Sequence, residues 1–373
     1  MPSERARLVN RYRERVLGLS NVVGCGWGRK RVGRRVTERE CLVVFVRKKQ
    51  PVTKLKRKDV VPQLLGGVVT DVVEIGDVRL LSTPENESGT GFESRRRAVR
   101  KSRIRASERD DCDEQDDDVD RRERIRPAPP GVSIGHWRIT AGTFGAVVRD
   151  AETGELYILS NNHVVANQTD GSDSRAEIGD AVLQPGPYDG GDMEKDVIGH
   201  LVRFEPLRPI VGIPECAIAR TVETVLNVPL RLFWPRYEAR LFRRANDDNV
   251  VDAALVKPLN DRVITSCVLG IGRVRGMVEA AVGMKVLKSG RTTGVTHGEV
   301  IALGATIDVG LGGGVIARFS DQIVTTPMAE PGDSGSLVVD EEHRAVGLLF
   351  AGSESATLYN RIQSVCEKLN VTL

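Results

Sequence analysis

Residues 331–339 read Pro331-Gly332-Asp333-Ser334-Gly335-Ser336-Leu337-Val338-Val339. A serine set between glycines, running straight into an apolar β-branched stretch, belongs on a tight turn at the start of a strand. Glycines let a backbone approach a reacting carbonyl closely and expose its N–H groups. The N–H groups of Gly332 and Ser334 are therefore candidates for an oxyanion hole, where one donor lowers the barrier by about 2.7–4 kcal/mol. The competing reading is a plain glycine-rich hairpin.

A serine hydroxyl is a poor nucleophile without a base. His163 is the candidate: it closely follows the apolar run Tyr157–Leu159 and precedes Val164 and Val165, so it sits at a strand end facing a cleft. A lone histidine can equally be a satisfied core group. His136, His200, His297 and His343 lack the strand-end setting and read as structural or surface groups. The base needs an orienting carboxylate. Asp252 stands within the apolar run Val250–Val256. A charge there is costly unless paired, and an imidazole N–H is a fitting partner. Asp192 and Asp196 are rivals nearer in sequence; Asp252 is preferred because small residues and a core strand follow it.

Outward from these three, residues 131–373 carry short apolar, β-branched runs separated by glycines. They are 145–148, 157–159, 251–256, 282–287, 298–303, 323–326, 337–339 and 345–350. Many short strands with glycine-rich turns predict a barrel or sandwich. Residues 362–369 read as a closing helix and 216–232 as an inserted one. Upstream, 5–19 has apolar residues on one helical face (Leu8, Val9, Tyr12, Val16, Leu17). Strands are expected at 21–28, 41–46, 68–75 and 78–81, and a short helix at 60–65. Residues 1–84 thus form a small α+β domain. Between them, 85–130 holds the basic run Arg95–Arg105 and the acidic run Asp110–Asp120, and predicts an exposed, disordered linker. The two runs offset each other, which argues against a nucleic-acid partner.

The chain has 373 residues, a prior of two or three domains. A net charge of +3 implies no polyanionic partner. No apolar run reaches the roughly 18 residues of a membrane span. The N-terminus is charged where an export signal is apolar, and the six cysteines form no CxxC pair. The expectation is a cytoplasmic protein with six reduced thiols.

The chain order His163, Asp252, Ser334 and the strings His-Val-Val, Asp-x-Ala-Leu and Gly-Asp-Ser-Gly resemble the chymotrypsin/trypsin-like serine proteases. SNNHVVAN, QPGPYDGG, KSGRTTGVTHGEV, PGDSGSLVVD and AVGLLFAGS narrow the likeness. They resemble an intracellular subfamily that includes the plant narrow-leaf proteases and bacterial relatives. The resemblance implies a mostly β fold, a double β-barrel of six strands each preceded by the small α+β domain. His163 and Asp252 would belong to the first barrel and Ser334 to the second. The long His163-to-Asp252 spacing fits an insertion near 205–248.

The same resemblance makes Ser334 the nucleophile, His163 the base and Asp252 its orienting partner, with Gly332 and Ser334 as oxyanion donors. Phe350, Ala351 and Gly352 would pair with substrate backbone. Met328 would lie near the base of the first specificity pocket; no acid is evident there, which favours an apolar P1 residue. Asp333 needs a partner other than a freed N-terminus, and Lys288 or Arg291 is the candidate. The chemistry requires no cofactor and no metal. Its partner is a protein or peptide substrate, with a regulatory protein or a second copy of the chain compatible with it. The alternative is a catalytically idle scaffold that binds protein partners. A third reading has the N-terminal domain or the insertion holding the site inactive.

Overall fold

A computed structural model of the chain describes residues 4–81 and 119–373, apart from positions 34, 140, 213–216, 235, 238, 240, 242 and 245–247. The chain opens with α1 (Glu4–Leu17), β1 (Val22–Val32), β2 (Arg35–Val46), β3 (Leu64–Leu65), β4 (Val68–Glu74) and β5 (Arg79–Leu80). Strand side chains alternate between faces, and β2 uses both. Leu42, Val44 and Val46 join Val9 and Val16 of α1 in one buried cluster. Cys41, Val43 and Phe45 join the core of the second barrel. The expected helix at 60–65 is absent: Leu64 and Leu65 instead pair with Val69 and Val68. Proline at 62 disfavours a helical residue before it. Gly66 and Gly67 both take positive φ, as a two-residue hairpin turn requires.

The first barrel runs through β6 (Ser133–His136), β7 (Gly142–Thr143), β8 (Ala146–Asp150), β9 (Leu156–Ser160), α2 (Asn162–Val165), β10 (Ala181–Leu183) and β11 (Val197–Phe204). The insertion follows as β12 (Val211–Gly212), α3 (Ala217–Phe233) and β13 (Arg243–Arg244), and the barrel resumes at β14 (Ala254–Pro258). The second barrel comprises β15 (Lys285–Gly290), β16 (Gly294–Gly312), β17 (Val315–Thr325), β18 (Leu337–Asp340), β19 (Ala345–Gly352) and β20 (Thr357–Arg361). It is followed by α4 (Ile362–Leu369) and β21 (Val371–Thr372).

The second barrel closes completely. The sheet runs β17-β20-β19-β18-β15-β16, and β16 pairs back onto β17. The first sheet is ordered β21-β8-β9-β14-β11-β10-β6-β7, so the last strand of the chain returns to its edge. The predicted mostly β, double-barrel architecture is the one observed.

The N-terminal strands are continuous with the second barrel. β1 pairs antiparallel with β16, placing Gly24 opposite Ile307 and Gly28 opposite Ala302. The approach is close enough that a Cβ on Gly28 would lie 2.5 Å from the carbonyl oxygen of Ile301. β5 pairs with both β16 and β19.

Three further expectations change. Residues 119–130, read as the end of an exposed linker, are packed against the barrels. Arg121 is buried and donates to Ser289 Oγ at 2.5 Å, and Ala128 bridges to Ile264. The basic run 95–105 and most of the acidic run 110–120 lie outside the described residues. The strand expected at 298–303 is part of a 19-residue strand. The six-thiol expectation also fails: Cys25, Cys41 and Cys366 are free, but Cys267 is disulfide-bonded. Among the described residues no helix is long and apolar enough to cross a membrane.

Candidate active site

His163 lies on the short helix α2, one turn beyond the end of β9. Its backbone N–H donates to Asp252 Oδ1 at 3.2 Å, and its Nδ1 is 2.5 Å from Asp252 Oδ2. Neither side chain is exposed to solvent. The carboxylate therefore fixes the tautomer with the proton on Nδ1, which leaves Nε2 as an acceptor. Among the described residues that buried Nε2 has no hydrogen-bond partner.

Asp252 precedes β14 rather than lying inside it. Its backbone N–H leaves the ladder and donates to Asn360 Oδ1 at 2.9 Å. Asn161 Nδ2 donates to the Asp252 carbonyl at 2.7 Å. Asn360, on β20, donates in turn to Gln322 Oε1 at 2.7 Å, and Gln322 Nε2 donates to the Val250 carbonyl at 2.8 Å. The second barrel thus holds the aspartate of the first. Sequence reading missed Asn161, Gln322 and Asn360: polar residues in or beside apolar strands are the signal, but nothing local names their partner. The rivals are engaged elsewhere. Asp196 pairs with Arg124 at 3.0 Å and accepts from the Asp192 N–H. His136 is buried beside Asp180 at 3.0 Å.

Ser334 follows Gly332 and precedes β18. Gly332 and Gly335 hold φ of +97° and +94°, a region that favours glycine, so the turn presents the serine between them. The Ser334 hydroxyl, itself buried, donates to the carbonyl of Phe350 at 3.0 Å. To donate instead to His163 Nε2, which has no partner among the described residues, it must leave that carbonyl. Asp333 is held by Lys288 Nζ at 3.1 Å, by the N–H groups of Thr292 and Thr293, and by the Thr293 hydroxyl at 2.6 Å. Of the two expected partners it takes Lys288. Arg291 instead pairs with Asp189, its Nε donating to Asp189 Oδ2 at 2.6 Å. Burial pulls the Lys288 ammonium below its usual range, against the opposing pull of Asp333.

The substrate-side residues also fall together. Phe350, Ala351 and Gly352 end β19, whose last residues pair with β5: Leu80 opposite Ala351 and Arg79 opposite Gly352. Met328 is buried in a cluster with Leu81, Val346, Leu349 and Tyr359. Its sulfur accepts from the Tyr359 hydroxyl at 3.0 Å. Of the two oxyanion donors, the Gly332 N–H is occupied: it donates to the Leu81 carbonyl at 2.7 Å. Among the described residues no group of His, Cys, Asp and Glu is arranged to hold a metal ion.

A histidine–aspartate pair carried by one barrel and a Gly-Asp-Ser-Gly serine carried by a second define a trypsin/chymotrypsin-like serine protease architecture. Local sequence agrees. Over 85 residues the chain is 41% identical to Serine protease 2 of Streptomyces fradiae, an alignment that takes in 23% of this chain and 40% of that protein. Over 75 residues it is 45% identical to Streptogrisin-D of Streptomyces griseus, covering 20% of this chain and 18% of that one. The chain therefore spans less than half the length of either relative. No family model matches it. Among solved structures, the Nocardiopsis protease NAPase is similar at a TM-score of 0.40 and 17% identity, over 66% of this chain and 99% of that one. Thermobifida fusca Protease A is similar at 0.40 and 16%, over 66% and 98%.

Proposed function

We propose that the chain is a serine endopeptidase that cleaves protein or peptide bonds through an acyl-enzyme on Ser334. The observation that carries this reading is the buried His163–Asp252 pair with an unpartnered Nε2. A buried acceptor without a donor is costly, and a neighbouring hydroxyl is what would satisfy it. In the reaction, Ser334 Oγ adds to the substrate carbonyl and its proton passes to His163 Nε2. Asp252 stabilises the imidazolium, which then protonates the departing amine. Water repeats the sequence on the ester. The N–H groups of Gly332 and Ser334 donate to the developing oxyanion, and Lys288, by neutralising Asp333, holds the turn that presents them. The reading of a narrow-leaf-type subfamily rests on the quoted motifs. It carries no cytoplasmic placement, because a disulfide at Cys267 favours an oxidising compartment. The test is covalent labelling by a fluorophosphonate probe: the full chain is expected to label and Ser334→Ala is not. Equal labelling of both would move the nucleophile elsewhere.

A further inference from the structure

The groove beside Ser334 is filled by the chain's own residues 79–81. β5 runs antiparallel to the end of β19, with Arg79 opposite Gly352 and Leu80 opposite Ala351. The Leu81 N–H donates to the Phe350 carbonyl at 3.2 Å, and the Leu81 carbonyl accepts from the Gly332 N–H at 2.7 Å. The Leu81 side chain is 6% exposed and packs in the same cluster as Met328 and Tyr359. A Cβ on Gly352 would stand 3.2 Å from Leu81 Cδ1, so the glycine leaves the pocket wall open to this side chain. The segment is anchored from behind, where Val78 O accepts from Gly310 N at 2.9 Å and Ile75, Val78 and Leu80 enter the second barrel's core.

Backbone pairing along one strand, a carbonyl on an oxyanion donor and an apolar side chain in the adjoining pocket are what the acyl half of a substrate would show. We propose that Leu81 is an internal P1 residue, and that the chain cuts its own peptide bond on the carboxyl side of Leu81. This rests on the protease reading above and deepens it by naming a leucine-type P1 substrate and a self-processing site. Ser334 Oγ and the Leu81 N–H already share the Phe350 carbonyl as acceptor, so the hydroxyl sits beside the residue it would attack. Oγ bonds to the Leu81 carbonyl carbon as its proton moves to His163 Nε2. The C–N bond to residue 82 breaks as that proton moves to the departing nitrogen. Water then hydrolyses the ester, restoring the Ser334 hydroxyl and leaving a carboxylate on Leu81. That carboxylate keeps its bond from Gly332, and pairing of β1 with β16 keeps residues 1–81 docked as a product that blocks the groove.

The experiment is intact mass and N-terminal sequencing of the full-length chain and of Ser334→Ala, alongside fluorophosphonate labelling. The expected result is two co-purifying fragments, 1–81 and 82–373, from the wild type and a single uncut chain from Ser334→Ala. A wild-type chain that labels at Ser334 yet stays intact, or is cut at another bond, overturns the self-cleavage and leaves the protease reading standing. Cleavage after Leu81 in both chains overturns it as well, by assigning the cut to another enzyme. A wild-type chain that neither labels nor cuts overturns both readings. Leu81→Asp places a charge in the apolar pocket. It is expected to abolish the cut and to raise the labelling rate about tenfold or more, since full burial of a leucine is worth at least that factor. Leu81→Met, which fills the pocket, is expected to keep the cut. An unchanged cut in Leu81→Asp overturns the P1 assignment.

Discussion

Lys288 Nζ lies 3.1 Å from Asp333 Oδ2, and neither side chain touches solvent. The carboxylate is also bonded by the N–H groups of Thr292, Thr293 and Glu330. Asp333 is thus neutralised by a lysine of β15. The turn that carries Gly332 and Ser334 is assembled in the intact chain.

Lys288→Met is expected to leave a buried, uncompensated carboxylate. Breaking one partner of a buried pair costs about 3–5 kcal/mol. For a chain of this size that lowers the thermal midpoint by about 4–6 °C. Labelling at Ser334 is expected to fall in parallel, because the Gly332 N–H loses its support. A melting curve with an unchanged midpoint would remove Lys288 from this role.

Asn360 is expected to act as a positioning residue. Asn360→Ala leaves both the Asp252 N–H and Gln322 Oε1 without their partners, at about 1–3 kcal/mol for each buried group. The carboxylate would lose its aim on His163, so kcat is expected to drop about ten- to a hundredfold while KM changes little. Steady-state kinetics on a leucine-P1 peptide check this. A loss confined to KM would place Asn360 outside the orientation of the triad.

How far the sequence reached follows from the range of each interaction. His163, Asp252 and Ser334 stand out as candidates in the sequence because each is a polar group set against an apolar strand, in an order few arrangements share, and the structure pairs the first two. The closing helix at 362–369 and the inserted helix at 217–233 were legible from their own apolar periodicity. The pairing of β1 with β16 was not, since a strand's pattern shows which face is buried but not which strand lies beside it. Asn360 and Gln322 were hidden for the same reason. Leu81 read only as the end of an apolar run, and its importance appears when its carbonyl is seen against Gly332. Cys267 gave no cue because its sequence neighbourhood holds no second cysteine.

Stability is expected to depend on pH through His136. Burial lowers its pKa below the usual 6.5, with Asp180 opposing and Arg138 reinforcing. Between the folded value and 6.5 the unfolded chain binds more protons than the native one, so stability rises with pH across that window and is lost as pH falls through it. Denaturant melts at a series of pH values from 7 down to 5 are expected to show this slope, and His136→Gln to flatten it. The same slope in the variant would assign the effect to other groups.

Met328 sits with Leu81, Val346, Leu349 and Tyr359, and its backbone is fixed by Thr357 Oγ1 and Thr296 Oγ1. With its sulfur 3.0 Å from the Tyr359 hydroxyl, the side chain forms part of an apolar floor, and a leucine buries itself there without leaving a polar group unpaired. Met328→Asp would set a carboxylate into that floor. An apolar P1 side chain would then face a buried charge with no counterion, whereas a lysine or arginine would supply one. Hydrolysis at leucine is expected to fall about ten- to a hundredfold, the worth of burying one such side chain, and cleavage at basic P1 residues to appear. A peptide-library profile read for both proteins checks it. An unchanged P1 preference would place the specificity pocket elsewhere, and the Leu81 cluster would then be ordinary barrel core.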